Sequence, residues 1–164
     1  MKRLQAFKFQ IEPNGEQTHA MRQYAGNARK VWNLALNRQQ ERHAAGEKFT
    51  SSFGMNNWLP SFKQQFPYLC DSPSQTLQQV TKDLATAYKN FFEKCADFPR
   101  FKKKGRSSDS FRFPQGFEID EANRRIKFPK LGWIRYRKSR GIIGLAKNIT
   151  VFLCCWQMVR QHPD

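Results

Sequence analysis

The spacing of apolar and polar residues changes twice along the chain. Residues 2–12 read KRLQAFKFQIE, with Leu4 and Ala6 on one parity and Phe7, Phe9 and Ile11 on the other. This partial alternation predicts a strand, closed by the turn Pro13-Asn14-Gly15. From residue 16 to residue 45 the period lengthens. Met21, Tyr24, Ala25, Ala28, Val31, Trp32 and Ala35 recur at three- and four-residue steps, which predicts one face of a long helix. Arg22, Arg29, Lys30, Arg38 and Arg42 fall mostly off that stripe, and Gly46 supplies a stop. Trp32 sits inside the stripe and reads as core rather than as a platform for a stacked base. Phe53, Trp58, Leu59, Phe62 and Phe66, with Pro60 and Pro67, predict a short helix near 54–66.

The clearest helical period covers residues 72–96. Ser72-Pro73 offers a cap followed by a proline at the first helical position. Leu77, Val80, Leu84, Ala87, Tyr88, Phe91 and Phe92 then recur at helical spacing. The opening turns present Ser74, Gln75, Gln78, Gln79 and Lys82. Glutamine can read base edges and a helix start can hold phosphate; the same residues also suit an ordinary polar surface.

After residue 97 the period shortens again. A basic loop, Phe98-Pro99-Arg100-Phe101-Lys102-Lys103-Lys104-Gly105, leads into short extended pieces. These are Ser110–Phe113, Phe117–Ile119, Arg125–Phe128, Trp133–Tyr136 and Ile149–Leu153, parted by Pro114-Gln115-Gly116, Glu121-Ala122-Asn123 and Pro129-Lys130-Leu131-Gly132. The expected class is α+β: a small antiparallel β-barrel of the first strand and the C-terminal strands, with the helices as an insertion. The expected division is 1–12 with 98–151 as a basic β-barrel domain, 13–97 as a helical domain, and 152–164 as a separate tail.

Composition sharpens this picture. The 164 residues carry 29 Lys and Arg against 13 Asp and Glu, a net charge of +16. That length fits one domain or two small ones. The aromatic share of 14% argues against a disordered chain. No apolar run reaches the roughly 18 residues of a membrane-spanning helix, and Met1-Lys2-Arg3 is charged too early for a signal peptide. A soluble cytoplasmic protein with no membrane partner is expected. A strongly basic chain attracts polyanions, nucleic acid above all. The charge is uneven: residues 1–97 carry +5, whereas residues 98–148 hold 15 Lys and Arg against 4 Asp and Glu, a net +11.

The candidate site residues follow that gradient. Lys102, Lys103, Lys104 and Arg106 can neutralise phosphates from a flexible loop. Phe101, Phe111 and Phe113 alternate with Arg100, Lys102 and Arg112, which in a strand sends rings to one face and cations to the other. The rings suit a core, with base stacking as the alternative. Arg124, Arg125, Lys127, Lys130, Arg135, Arg137, Lys138 and Arg140 extend the basic footprint, and Arg29 and Lys30 add to it from the long helix. Such contacts hold phosphate without reading sequence.

Catalytic chemistry finds little footing. Metal-dependent phosphodiester cleavage needs converging carboxylates, and the one close cluster, Glu118, Asp120 and Glu121, falls at a turn. Cys70, Cys95, Cys154 and Cys155 lack zinc-site spacing and read as reduced thiols. There is no P-loop, nucleophile elbow or H-E-x-x-H motif.

Several stretches resemble the amino-terminal part of the TnpB (OrfB) proteins of bacterial insertion sequences. They are KRLQAFKFQIEPNGEQ, GNARKVWNLALN, DLATAYKNFF, FPRFKKKGR and IKFPKLGWIRYR, in order from residue 2 to about residue 151. The resemblance implies a transposase-type protein with an N-terminal helix-turn-helix region, related to RNA-guided DNA endonucleases. It implies a wedge-like β-barrel interrupted by a helical recognition domain, with guide RNA and target DNA as partners. In such relatives the start of the helix matching 72–96 approaches a short motif beside the target, which favours Gln78, with Ser74 and Gln75 beside it. Cutting belongs to a downstream RuvC-like domain with acidic metal ligands and a zinc-binding insert. The resemblance therefore carries no catalytic residue, no magnesium or zinc site and no cofactor onto this chain, and implies no enzyme activity for it.

Past Val151 the resemblance stops. Relatives continue with a strand often containing a Gly-Lys-Trp-Tyr-like run. Trp156-Gln157-Met158-Val159, read one base later as GGC-ARA-TGG, gives Gly, Lys or Arg, then Trp. Residues from about 152 onward are thus expected to be out of frame, truncating a longer protein. Three readings stay open: a nucleic-acid-binding remnant acting near the nucleoid, a stand-alone DNA-binding regulator of the element, and a non-functional pseudogene product. The coding DNA beyond codon 151 tests the frameshift.

Overall fold

A computed structural model describes residues 4–106, 108–153 and 157–163. The chain divides into two compact units: Met1–Ala25 with Ser108–Asp164, and Gly26–Ser107. A single helix, α1, begins in the first and ends in the second.

The first unit is built on an antiparallel sheet. Strand β1, Leu4–Glu12, places Phe7, Phe9 and Ile11 inside and Lys8, Gln10 and Glu12 outside. The other strands are β2 Ser110–Phe113, β3 Glu118–Asp120, β4 Arg125–Phe128, β5 Gly132–Arg137, β6 Asn148–Phe152 and β7 Gln157–Pro163. Their order across the sheet is β2-β6-β7-β1-β5-β4-β3. The α+β class holds, with the N-terminal strand inside a C-terminal sheet. The expected closed barrel does not form: β2 and β3 stand at the two edges, and no ladder joins them among the described residues. Closure needs a long staggered seam, and edge strands of four and three residues offer few backbone groups for one. The sheet still curls. β1 pairs with β7 over Leu4–Gln10 and with β5 over Gln10–Glu12, so its neighbours are offset along its length.

The inner face is aromatic. Phe113 stacks on Phe128 at 5.1 Å between ring centroids, and Phe111 meets both Phe113 and Tyr24 edge-on at 5.5 and 5.8 Å. Ile126, Ile134, Ile149 and Val151 complete the buried set. At roughly 25 cal/mol per Å² of apolar surface buried, such side chains each contribute about 1.5–3 kcal/mol.

The start of α1, Gly15–Ala44, is fixed by a reciprocal cap. Gln17 N–H donates to Asn14 Oδ1 at 2.8 Å, and Asn14 N–H donates to Gln17 Oε1 at 3.0 Å. Gln17 Nε2 also donates to the carbonyls of Leu131 and Trp133, tying the helix start to the β4–β5 turn. The helix end uses left-handed Gly46, φ 79°: Gly46 N–H reaches His43 O and Glu47 N–H reaches Arg42 O. These two bonds satisfy carbonyls that the last turn would leave open.

The second unit is helical. Instead of one helix near 54–66 it has α2, Ser52–Asn56, and α3, Leu59–Gln65, then a 3₁₀ turn at Pro67–Asp71. Pro60 is the cause, because in a continuous helix its ring would meet the carbonyl four residues earlier. Helix α4 spans Ser74–Phe92. Ser72 is not its cap: the hydroxyl is buried and accepts from Asn27 Nδ2 at 2.8 Å, while Pro73 stands at the cap position. The expected extension to residue 96 stops short, because Lys94 turns left-handed and Cys95 N–H bonds back to Asn90 O. Leu77 and Leu84 of α4 pack in a core with Val31, Ala35, Leu36, Met55 and Leu69, all fully buried.

Candidate nucleic-acid interface

In the helical unit the basic loop after residue 97 is pinned rather than loose. Trp32 Nε1 donates to Arg100 O at 2.9 Å. The Asn33 amide takes both backbone groups of Lys102, accepting its N–H at 2.8 Å and donating to its carbonyl at 3.0 Å. This reproduces one rung of a β-ladder with a side chain. Lys102 Nζ then lies 4.1 Å from the Trp32 ring centroid, a cation–π contact. Trp32 is buried, as its place in the stripe implies, and its ring edge is what holds the loop. Lys103, Lys104 and Arg106 are exposed beyond the tether, around left-handed Gly105, and Arg100 is exposed beside Asp97 at 3.6 Å. Phe101 is 46% exposed and lies in this loop, so the ring–cation alternation begins only at β2.

The other candidates of this unit lie on α1 and α4. Lys30 Nζ sits 4.2 Å from the Phe66 ring centroid, and Arg29 is half-buried. Ser74, Gln78 and Lys82 are exposed at four-residue steps, which puts them on one stripe of α4; Gln75 is half-buried beside them. Lys63 adds a cation there, donating to Ser74 Oγ at 3.1 Å. Sequence spacing gave no sign of Lys63, because α3 brings it in from outside the helix.

In the sheet unit the cations share the outer face. Alternation along β4 and β5 buries Ile126, Phe128, Ile134 and Tyr136 and turns Lys127, Trp133, Arg135 and Arg137 outward. On β2, Arg112 stands between buried Phe111 and Phe113 and donates to Thr150 Oγ1 at 3.2 Å. Register sets the neighbours: Lys127 lies opposite Trp133 and Glu118, and Arg125 opposite Arg135 and Asp120. Arg125 lies 4.4 Å and Lys127 5.9 Å from the Trp133 ring centroid.

The acidic residues lie among these cations. Arg125 pairs with Asp120 at 3.0 Å, Lys127 with Glu118 at 3.8 Å, Lys138 with Glu121 at 3.0 Å, and Arg137 with Glu12 at 2.7 Å. Exposed pairs of this kind are worth about 0–1 kcal/mol; their effect here is to set where the cations stand. The Asn123 side-chain amide and backbone N–H, with Arg125, hold the Asp120 carboxyl below its usual range and fix the β3–β4 turn. Arg124 and Lys130 occupy the two hairpin turns with left-handed backbones, φ 53° and 62°.

Among the described residues, no three His, Cys, Asp or Glu side chains converge as metal ligands would. No described helix is long and apolar enough to cross a membrane.

Comparison with known proteins adds to this geometry. A helix-turn-helix domain family of the OrfB IS605 type matches residues 1–48. In the structure the described part of that range is strand β1 followed by α1 alone. An Escherichia coli (strain K12) protein named "Putative RNA-guided DNA endonuclease InsQ" is 55% identical over 157 residues, covering 94% of this chain and 39% of that protein. A Streptomyces pristinaespiralis protein named "Putative RNA-guided DNA endonuclease" is 33% identical over 113 residues, covering 65% of this chain and 27% of its own length. The chain thus spans well under half the length of these relatives.

Proposed function

Because the chain belongs to the TnpB (OrfB) family of insertion-sequence proteins and matches the amino-terminal part of longer members, we propose that it is a nucleic-acid-binding module, contributing guide-RNA and target-DNA contacts without cutting. The observation that carries this reading is the loop at Arg100–Arg106. Its backbone is fixed by Trp32 and Asn33 while Lys103, Lys104 and Arg106 stay exposed. A loop ordered in advance spends less conformational entropy when it meets a polyanion. In this reading α4 offers Ser74, Gln78 and Lys82 to the target duplex, and the outer face of β4–β5 takes the RNA backbone. The cleaving activity in the relatives' names is assigned to no residue of this chain.

The test is a binding titration of the 164-residue protein. The probes are guide-type single-stranded RNA and random duplex DNA, at about 50 and 200 mM salt. The expected result is RNA binding that weakens steeply with salt, by roughly three hundredfold if about six phosphates are engaged. Absence of binding to both probes at the lower salt overturns the reading. The match to a helix-turn-helix family favours a second reading, a stand-alone DNA-binding regulator. Sequence-selective duplex binding without RNA would select it instead.

A further inference from the structure

The outer face of the sheet unit carries one place where cations outnumber the carboxylates that could neutralise them. A recess of about 310 Å³ lies between the β3–β4 turn and the end of β5, lined by Arg124, Arg135, Arg137 and Lys138 with Glu12 and Asn123. A second recess of about 450 Å³ shares Arg124 and Lys138 and adds Arg140 and Glu121. Five cations therefore line the two recesses with two carboxylates. Both carboxylates are committed: Glu12 pairs with Arg137 and Glu121 with Lys138. Arg124 and Arg135 have no carboxylate partner among the described residues.

The placement of these two arginines is built, not incidental. Asp120 locks the turn by accepting from Asn123 and Arg125. Arg124 follows with a left-handed backbone, φ 53°, and its carbonyl accepts Tyr136 N–H at 2.9 Å. A non-glycine residue in that region costs about 1–2 kcal/mol, so the turn is held by its hydrogen bonds in spite of the arginine. Arg135 reaches the recess from β5, with Arg125 opposite it on β4 and Glu12 opposite it on β1, the Glu12 carboxylate being engaged by Arg137 at 2.7 Å. Like charges opposite each other on one sheet face are destabilising. An anion held between guanidinium groups removes that repulsion, and a phosphate oxyanion matches the planar fork of arginine.

We propose that this recess binds one phosphodiester of a polynucleotide. Arg124 and Arg135 are the direct phosphate ligands; Arg137 and Lys138, steadied by Glu12 and Glu121, supply the surrounding positive potential. The inference rests on the nucleic-acid-binding reading above and narrows it to one site. Phosphodiester is common to RNA and DNA, so both are probed.

The experiment compares the wild-type protein with the double variant Arg124→Asn/Arg135→Gln, in which asparagine tolerates the left-handed backbone. A second double variant, Lys48→Gln/Lys89→Gln, removes the same charge from the helical unit. Single-stranded RNA and duplex DNA are titrated across a salt series. The recess variant is expected to bind its preferred probe about tenfold more weakly. Its salt slope should fall by about 0.7 on RNA or 0.9 on duplex, the loss of one phosphate contact. An unchanged slope, or an equal loss in the control variant, overturns the site while leaving the general reading intact. Failure of the wild type to bind either probe overturns both. Phenylglyoxal modification of wild-type arginines, read by peptide mass, needs no variant. Bound probe should protect Arg124 and Arg135 and leave Arg22 reactive; equal reactivity with and without the probe overturns the proposal.

Discussion

Asn33 holds Lys102 by both of its backbone groups, and Gln39 holds Thr50 in the same way, donating to its carbonyl at 2.7 Å and accepting its N–H at 3.3 Å. Gln17 and Asn27 do related work from the same helix. A part-buried backbone group that loses its partner costs about 1–3 kcal/mol. Asn33→Ala is therefore expected to lower stability by about 1–2 kcal/mol, read by thermal melting. It should also weaken RNA binding by loosening the basic loop; Asn33→Asp, which cannot donate to the Lys102 carbonyl when ionised, should show the same direction. Asp120 gives a pH prediction. Its folded carboxyl titrates below the unfolded value, so its contribution is present above about pH 4 and lost as pH falls through the lower, folded pKa. The Asn123 amide resonance should shift across that acid window and stay flat in Asp120→Asn. A shift that persists in the variant would remove Asp120 as its cause.

At the scale of elements, α1 and α4 end on left-handed residues, and the two ends differ in what they demand. Gly46 has open space around an added Cβ, so Gly46→Ala meets no neighbour and costs backbone strain alone, about 1–2 kcal/mol in a chemical melt. Leu84 is fully buried in α4, and Leu84→Ala should cost about 2–5 kcal/mol, depending on how far the core relaxes. Most helices and strands were legible in the sequence to within a few residues, because Met21–Ala35, Leu77–Phe92 and the β4–β5 alternation follow their periods; β7, Gln157–Pro163, was not, since it falls in the stretch read as a separate tail. The break between α2 and α3 was signalled by Pro60 and overridden by the apolar run around it. The amide clamps were not legible. Asn33 and Lys102 are 69 positions apart, and an amide beside an apolar stripe looks like any other polar residue. The acidic partners of the candidate cations were hidden for a related reason. Glu118 meets Lys127 only through hairpin register, and Glu12 meets Arg137 only once β1 lies beside β5. The basic candidates were visible from charge density alone; which of them lack a carboxylate depends on that register.

Across the whole molecule the +16 charge is carried by two units of different construction. In the helical unit three cations are mounted on aromatic rings, Lys30 on Phe66, Arg38 on Trp58 and Phe62, and Lys102 on Trp32, while Arg42, Lys89 and Arg100 pair with carboxylates. In the sheet unit Arg137 and Lys138 rest on carboxylates, and Arg125 and Lys127 on both a carboxylate and the Trp133 ring. Salt screens exposed ion pairs strongly and packed ring contacts less. Arg137, paired with Glu12, should therefore change its Nε–H proton exchange between low and high salt more than Arg38 does, a difference measurable by NMR. The sheet itself depends on a short stretch of chain. Among the described residues, strand β7, seven residues long, links the β2–β6 pair to the β1-β5-β4-β3 group. Val159→Pro, which removes a backbone donor in an interior strand, should therefore lower the melting temperature far more than a proline in edge strand β2. Without β7 the sheet would part into two smaller ones, each with a newly open edge ready to pair with another chain.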